Sequence, residues 1–378
     1  MTLSLHALAI GLLTLGLTMA GRAAESVEKA AHTSLWITAY YPGWEQHTLS
    51  PEEIDFRALT HLVQFSVLPK ADGGLDWEKH GLDDQHVKNT ITVTHAAGRK
   101  VLLCVGGAET AVAFRKAVAA GKRARFVKTL VEAVHARGYD GLDIDWEPMA
   151  AGDAVIYAAF IRELRAALSL ENPAALLTAA VGELPTTFVG LQGQFDQINL
   201  MTYDLSGTWE GWVTWHNSAL WNGGLKFPGV DRELPSVELK IREWLAAGIS
   251  PSKLGLGVAF YGYVWSGASA PRQPINGVKT ADISYADLMK TYFKPDRYHW
   301  DEMAAVPYLS VAADGTRPSA FISFDNERSV RFKIDYARRM KLGGAIIWEL
   351  ANDYRRELPV GQRNPLLEAV RDAAFVPK

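Results

Sequence analysis

After residue 30 the chain alternates short apolar, β-branched runs with stretches whose apolar residues recur at helical spacing. Eight runs read as strands: Leu35–Tyr41, His61–Val67, Lys100–Val105, Gly141–Trp146, Leu176–Val181, Gln197–Tyr203, Leu254–Phe260 and Gly344–Trp348. Between them lie amphipathic helices. In 125–137, Phe126, Val127, Leu130, Val131 and Val134 share one stripe and Gly138 supplies a stop, and Tyr157, Phe160, Ile161, Leu164 and Leu168 repeat the pattern after the fourth run. Strand–helix alternation of this kind favours a parallel α/β architecture, and eight units predict a (β/α)8 TIM barrel over residues 30–378 with its chemistry at the C-terminal strand ends. More than eighty residues separate the seventh and eighth runs, too many for one helix and two loops. The Tyr-, Pro- and Gly-rich stretch 264–320, with one helical segment at 285–292, therefore reads as a small α+β insertion subdomain.

The first 24 residues follow a different pattern. An uncharged apolar run over 7–19 precedes Ala20-Gly21-Arg22-Ala23-Ala24, the form of a cleaved signal peptide and too short for a membrane span of about 20 residues. This predicts a secreted or periplasmic protein without stable membrane association. Thirty-nine Lys and Arg against 42 Asp and Glu give a net charge of −3, so no basic surface points to nucleic acid. A single cysteine, Cys104, excludes an intramolecular disulfide. The expected state is a monomer.

The segment Asp140-Gly141-Leu142-Asp143-Ile144-Asp145-Trp146-Glu147-Pro148 carries the chemistry. Side chains alternate across a strand, so Asp143, Asp145 and Glu147 share one face and Leu142, Ile144 and Trp146 the other. An acidic face directed into a barrel crowds three carboxyl groups about 6.6 Å apart along the strand, and mutual repulsion keeps at least one protonated near neutrality. Glu147, at the C-terminal tip, is then a general acid. A Mg²⁺ or Ca²⁺ site is a rival reading, but no histidine or further acidic run stands at another strand end to complete a shell. A solvated acidic strand is another, opposed by the large apolar residues that alternate with the acids. Asp140, of opposite parity at the strand entry, reads as a structural hydrogen-bonding group.

These residues resemble glycoside hydrolase family 18, the chitinase-like family: Asp140, Asp143, Asp145 and Glu147 meet its D-x-x-D-x-D-x-E signature in full. Tyr40-Tyr41-Pro42-Gly43-Trp44 is similar to the family's first strand, Cys104-Val105-Gly106-Gly107 to its third-strand S-x-G-G, Met201-Thr202-Tyr203-Asp204 to its M-x-Y-D, and Gly343 to Trp348 to its eighth strand. The resemblance implies a retaining, substrate-assisted glycosidase acting on N-acetylglucosamine-containing oligo- or polysaccharides, without cofactor or metal. It makes Glu147 the proton donor, Asp145 the group that orients the substrate acetamide, Asp143 its proton-sharing partner and Tyr203 a hydroxyl donor to the acetamide. Tyr40, Trp44, Gly106, Gly107, Met201, Asp204, Tyr261 and Trp348 are the implied substrate-binding residues, with Trp348 the apolar floor. Two carboxyl groups so close on one strand also disfavour the inverting geometry of about 6.5–9.5 Å.

Two positions depart from the family pattern: Cys104 stands where serine is usual, and Tyr263 where many members carry arginine. Trp209, Trp212, Trp215 and Trp221 cluster after Asp204, as sugar-stacking rings or as a lid packed on the barrel. Trp36 and Trp244 read as core, and His216 and His299 as loop histidines without a role. A lectin-like relative is the competing functional class, and members of that kind usually lack the terminal acid. Peptidoglycan and N-glycan cores are the alternative substrates to chitin.

Overall fold

The computed structural model describes residues 35–375, so the signal-peptide segment lies outside the described residues. Its strands are β1 (Trp36–Pro42), β2 (His61–Pro69), β3 (Leu75–Asp76), β4 (Lys100–Gly107), β5 (Gly141–Trp146), β6 (Leu176–Val181), β7 (Gln197–Leu200), β8 (Leu254–Ala259), β9 (Tyr261–Ser266), β10 (Lys279–Ser284), β11 (Tyr298–Asp301), β12 (Val306–Val311), β13 (Ala320–Ser323) and β14 (Gly344–Trp348). Eight of them pair in parallel in the order β1-β14-β8-β7-β6-β5-β4-β2, and a β1–β2 pairing closes the sheet on itself. This is the (β/α)8 barrel. Its strands are buried on both faces, because helices cover the outside and side chains fill the inside.

The helical stripes pack on that outer face. Phe126, Val127, Leu130 and Val134 are buried on the helix Arg123–Arg137, Val131 lies half-buried at the stripe edge, and Gly138 ends the helix at φ +84°, a left-handed cap. On Ala154–Glu171 all five stripe residues are buried. Phe114, Phe126 and Phe160 form an aromatic layer that Trp146 joins, stacked 4.7 Å from Phe114. Trp146 therefore faces the helices, which sends its strand neighbours Asp145 and Glu147 the other way. Burying such a ring contributes about 2–3 kcal/mol, and this apolar side of β5 holds its acidic side in the barrel.

The structure corrects two boundaries and one burial. The sixth barrel strand stops at Leu200 rather than Tyr203, because the Thr202 hydroxyl bonds both the N–H and the C=O of Gly257 (2.8 and 2.9 Å) and replaces the backbone ladder there. The insertion sheet, β10-β9-β13-β12-β11, is antiparallel throughout and spans Tyr261 to Ser323, three residues beyond 264–320 at each end. Trp36 is half-buried rather than core, since it opens β1 and stacks at 4.0 Å on His61.

A buried polar seam ties the insertion to the barrel. Lys333, fully buried, donates to Asp325 Oδ2 (2.5 Å) and to Ser218 Oγ (2.6 Å), and Ser218 donates in turn to the Thr202 carbonyl (2.6 Å). His216 is also buried, between Asp301 (3.1 Å) and Ser323 (3.3 Å), so it is a structural bridge rather than a histidine without a role. His299 stacks on Tyr308.

Candidate active site

β5 sits between β4 and β6 with Asp143 opposite Cys104 on one side and Thr178 on the other. Thr178 donates to Asp143 Oδ1 at 2.5 Å, and Tyr40, across the barrel, donates to Oδ2 at 2.9 Å. Burial raises the Asp143 carboxyl above its ordinary value, while Thr178, Tyr40 and the Cys104 thiol pull it back. Asp145 has no such support. Its Oδ1 is buried without a hydrogen-bond partner, and burial followed by the charges of Glu147 and Asp143 pushes its carboxyl well above the usual range. Burial, neighbouring charge and the missing partner all favour the protonated form of Asp145.

Glu147 lies one residue past β5, half-buried, with its carbonyl fixed by the Ala111 N–H at 3.1 Å. Burial raises its carboxyl, and the charge of Asp204 raises it further. Both effects favour the protonated form that a general acid needs. Glu147 and Met201 line one recess with Trp146, Tyr157 and Ala180. Tyr203 is buried in the barrel core beside Asp145 and Glu147, whose charges, after burial, hold its hydroxyl in the neutral form. Trp348 is half-buried at the barrel mouth, 5.5 Å from the Tyr40 ring and 4.8 Å from Phe65.

The two glycines serve packing. A side chain on Gly106 would meet the Asp145 carbonyl at 2.0 Å, and one on Gly107 the Phe65 ring at 2.6 Å, both at strongly positive φ. Their smallness lets β4 approach β5 and lets Phe65 sit under the mouth, which places these side-chain positions against protein. Trp44 is 46% exposed and edges onto Phe65 and His80 at the same mouth. Asp140 lies at the opposite end of its strand and accepts from Lys100, His95 and the Val101 N–H.

Asp204 adopts φ +56°, and its N–H is held by Asn217 at 2.8 Å. Its Oδ1 accepts from both Tyr261 (2.5 Å) and Tyr263 (2.6 Å). Tyr263 therefore reaches the carboxylate at the mouth by a hydroxyl. Of the four clustered tryptophans, only Trp209 and Trp212 line an open groove with Asp204, their rings 4.5 Å apart. Trp215 is fully buried with its N–H on the Pro235 carbonyl, and Trp221 packs on Tyr336.

Two buried groups escaped sequence reasoning, and only the first touches the acids. Thr178 shares inward parity with Leu176 and Ala180, so the strand register would have placed it beside Asp143. Glu349 follows Trp348, is buried, and accepts from the Ala351 N–H at 2.9 Å; burial pushes its carboxyl up to about 8. Among the described residues, no group of three or more His, Cys, Asp or Glu is placed to hold a metal ion.

The model of the Glycosyl hydrolases family 18 matches residues 37–353. A probable endochitinase of Caenorhabditis elegans is 28% identical over 87% of this chain and 58% of its own length, and chitinase A1 of Niallia circulans is 30% identical over 68% of this chain and 41% of its own. The chain thus spans about half the length of these relatives. The crystal structure of the Ostrinia furnacalis Group IV chitinase in complex with allosamidin superposes with TM-score 0.77 at 25% identity, covering 89% of this chain and 97% of that one.

Proposed function

Because the chain belongs to the glycosyl hydrolases of family 18, we propose that it hydrolyses β-1,4-linked N-acetylglucosamine chains with retention, using the substrate's own acetamide as nucleophile. Glu147 gives its proton to the glycosidic oxygen as the bond from that oxygen to the anomeric carbon breaks. The acetamide carbonyl oxygen bonds to the same carbon, forming an oxazolinium ion. Water then attacks that carbon, returns the carbonyl and leaves its proton on Glu147, so the enzyme ends as it began.

The observation that carries this reading is Asp145. A buried carboxyl oxygen without a partner costs about 1–3 kcal/mol, and an acetamide N–H is a donor of the right kind to satisfy it. Once that N–H is bound, the negative charge of Asp145 stabilises the cation that develops on the acetamide. Asp143, held by Thr178 and Tyr40, supplies a fixed second carboxyl with which the proton is shared. In this reading the Tyr203 hydroxyl steadies the acetamide oxygen and Trp348 gives the sugar an apolar face, both side chains belonging to the cluster that fills the barrel. Trp209 and Trp212 extend stacking surface along the groove.

Initial rates on a chromogenic chito-oligosaccharide and on the matched cello-oligosaccharide test the reading, with Glu147→Gln as control. Turnover is expected only with the acetamido substrate, and Glu147→Gln should lose at least about 10³-fold in kcat while still binding it. Binding without turnover by the unaltered protein would favour the lectin-like reading. Efficient cleavage of the cello-oligosaccharide would rule out substrate assistance.

A further inference from the structure

The carboxylate of Asp204 is held in an unusual electrical setting. Both hydroxyls that reach it, from Tyr261 and Tyr263 on β9, converge on the same oxygen at 2.5 and 2.6 Å. Neither donor carries charge. Among the described residues no cation pairs with Asp204, and the cations of the adjoining groove are engaged elsewhere. Lys240 pairs with Glu183 at 2.8 Å, and the Arg232 guanidinium lies 4.2 Å over the Phe227 ring. The groups behind the clamp do not supply the missing charge either: Asp282 on β10 faces Tyr263 across the sheet, and Glu233 and Glu243 share the groove.

We propose that Tyr263 is a positioning residue whose neutral hydroxyl fixes Asp204 in place while leaving its negative charge uncompensated, so that Glu147 stays an acid because this position carries no cation. The inference rests on the proposed role of Glu147 as proton donor. A hydroxyl donor orients a carboxylate without cancelling its field, whereas a guanidinium or ammonium at the same place would do both. Glu147 is faced by Asp204 and the neutral Tyr203 hydroxyl from the turn after β7, by Asp145 from the end of β5 and by Glu183 across the recess. Glu183 is neutralised by its pair with Lys240 and Asp145 tends to hold a proton, so Asp204 is the acid whose charge Glu147 meets uncompensated. Tyr263 is half-buried at the rim of the insertion sheet, so it is a device by which the subdomain acts on the barrel's acid.

The test is the pH profile of kcat/KM on a chito-oligosaccharide for Tyr263→Phe, Tyr263→Arg and Tyr263→Lys. A cation beside Asp204 should lower the pH at which Glu147 loses its proton, moving the alkaline limb acidward by about half a pH unit or more in both cationic variants. Tyr263→Phe, which removes a donor but adds no charge, should keep its limb within about 0.2 unit of the unaltered protein while KM rises. Using two cations guards against one of them failing to fold. Cationic variants whose limbs coincide with that of Tyr263→Phe would overturn the proposal. If the unaltered protein does not turn over the substrate, the hydrolytic reading fails separately. The clamp is then read from the carboxyl ¹³C titration of Glu147, assigned by its loss in Glu147→Gln. The same acidward shift supports the proposal, and superimposed titrations overturn it.

Discussion

Asp143 and Asp145 stand two residues apart on one strand and live in different worlds. Asp143 takes hydroxyl hydrogen bonds on both oxygens, which favour its charged form, whereas Asp145 Oδ1 has no partner, which favours its protonated form. The alternation of acids and apolar residues made the inward face legible, but not which acid carries the proton, because that depends on hydroxyls from β1 and β6. Cys104 sits on this network. It is fully buried, and burial followed by the charges of Asp143 and Asp145 drives its thiol well up, so the thiol stays neutral and should resist labelling in the native protein. Cys104→Ser substitutes a stronger donor beside Asp143, which favours the charged carboxylate and lowers the pH at which it forms. The acidic limb of the kcat/KM profile should therefore move to lower pH with the fold unchanged. Superimposable limbs would remove Cys104 from the network.

At the scale of elements, β5 and the turn after β7 divide the work: one carries the acids, the other carries Tyr203 and Asp204. That turn was misread as strand because Met201-Thr202-Tyr203 has the right composition, and only the Thr202 hydroxyl on Gly257 reveals that the ladder has ended. Its support comes from far along the chain, through Ser218 to Lys333 on the helix Glu327–Arg339. Lys333 is buried with Asp325, and removing one member of such a pair leaves an uncompensated charge in the interior. Lys333→Met should cost about 3–5 kcal/mol in denaturant unfolding, and the double change with Asp325→Leu should recover a substantial part of it. Equal losses in the single and double variants would show that the pair itself is not what the seam depends on. No sequence pattern announces the seam, since a lysine on a charged, amphipathic helix reads as surface.

For the whole molecule, the barrel and the place of its insertion could be read from period and spacing, since eight buried parallel strands leave continuous apolar runs between amphipathic helices. The tryptophan loop could not, because composition does not distinguish Trp215, locked in the core, from Trp209, half exposed on the groove. What the fold achieves is convergence: β1, β5, β6, the turn after β7, β9 and β14 bring Tyr40, the acids, Thr178, Tyr203, the tyrosine clamp and Trp348 to one mouth. The central claim is that the sugar's own acetamide, and not water, first attacks the anomeric carbon there. It is tested most directly by following the hydrolysis of a chito-oligosaccharide by ¹H NMR at early times, before the freed reducing end mutarotates. Attack by the substrate's own acetamide and then by water inverts that carbon twice, so the new reducing end should appear first as the β-anomer. An α-anomer as the initial product would contradict the account.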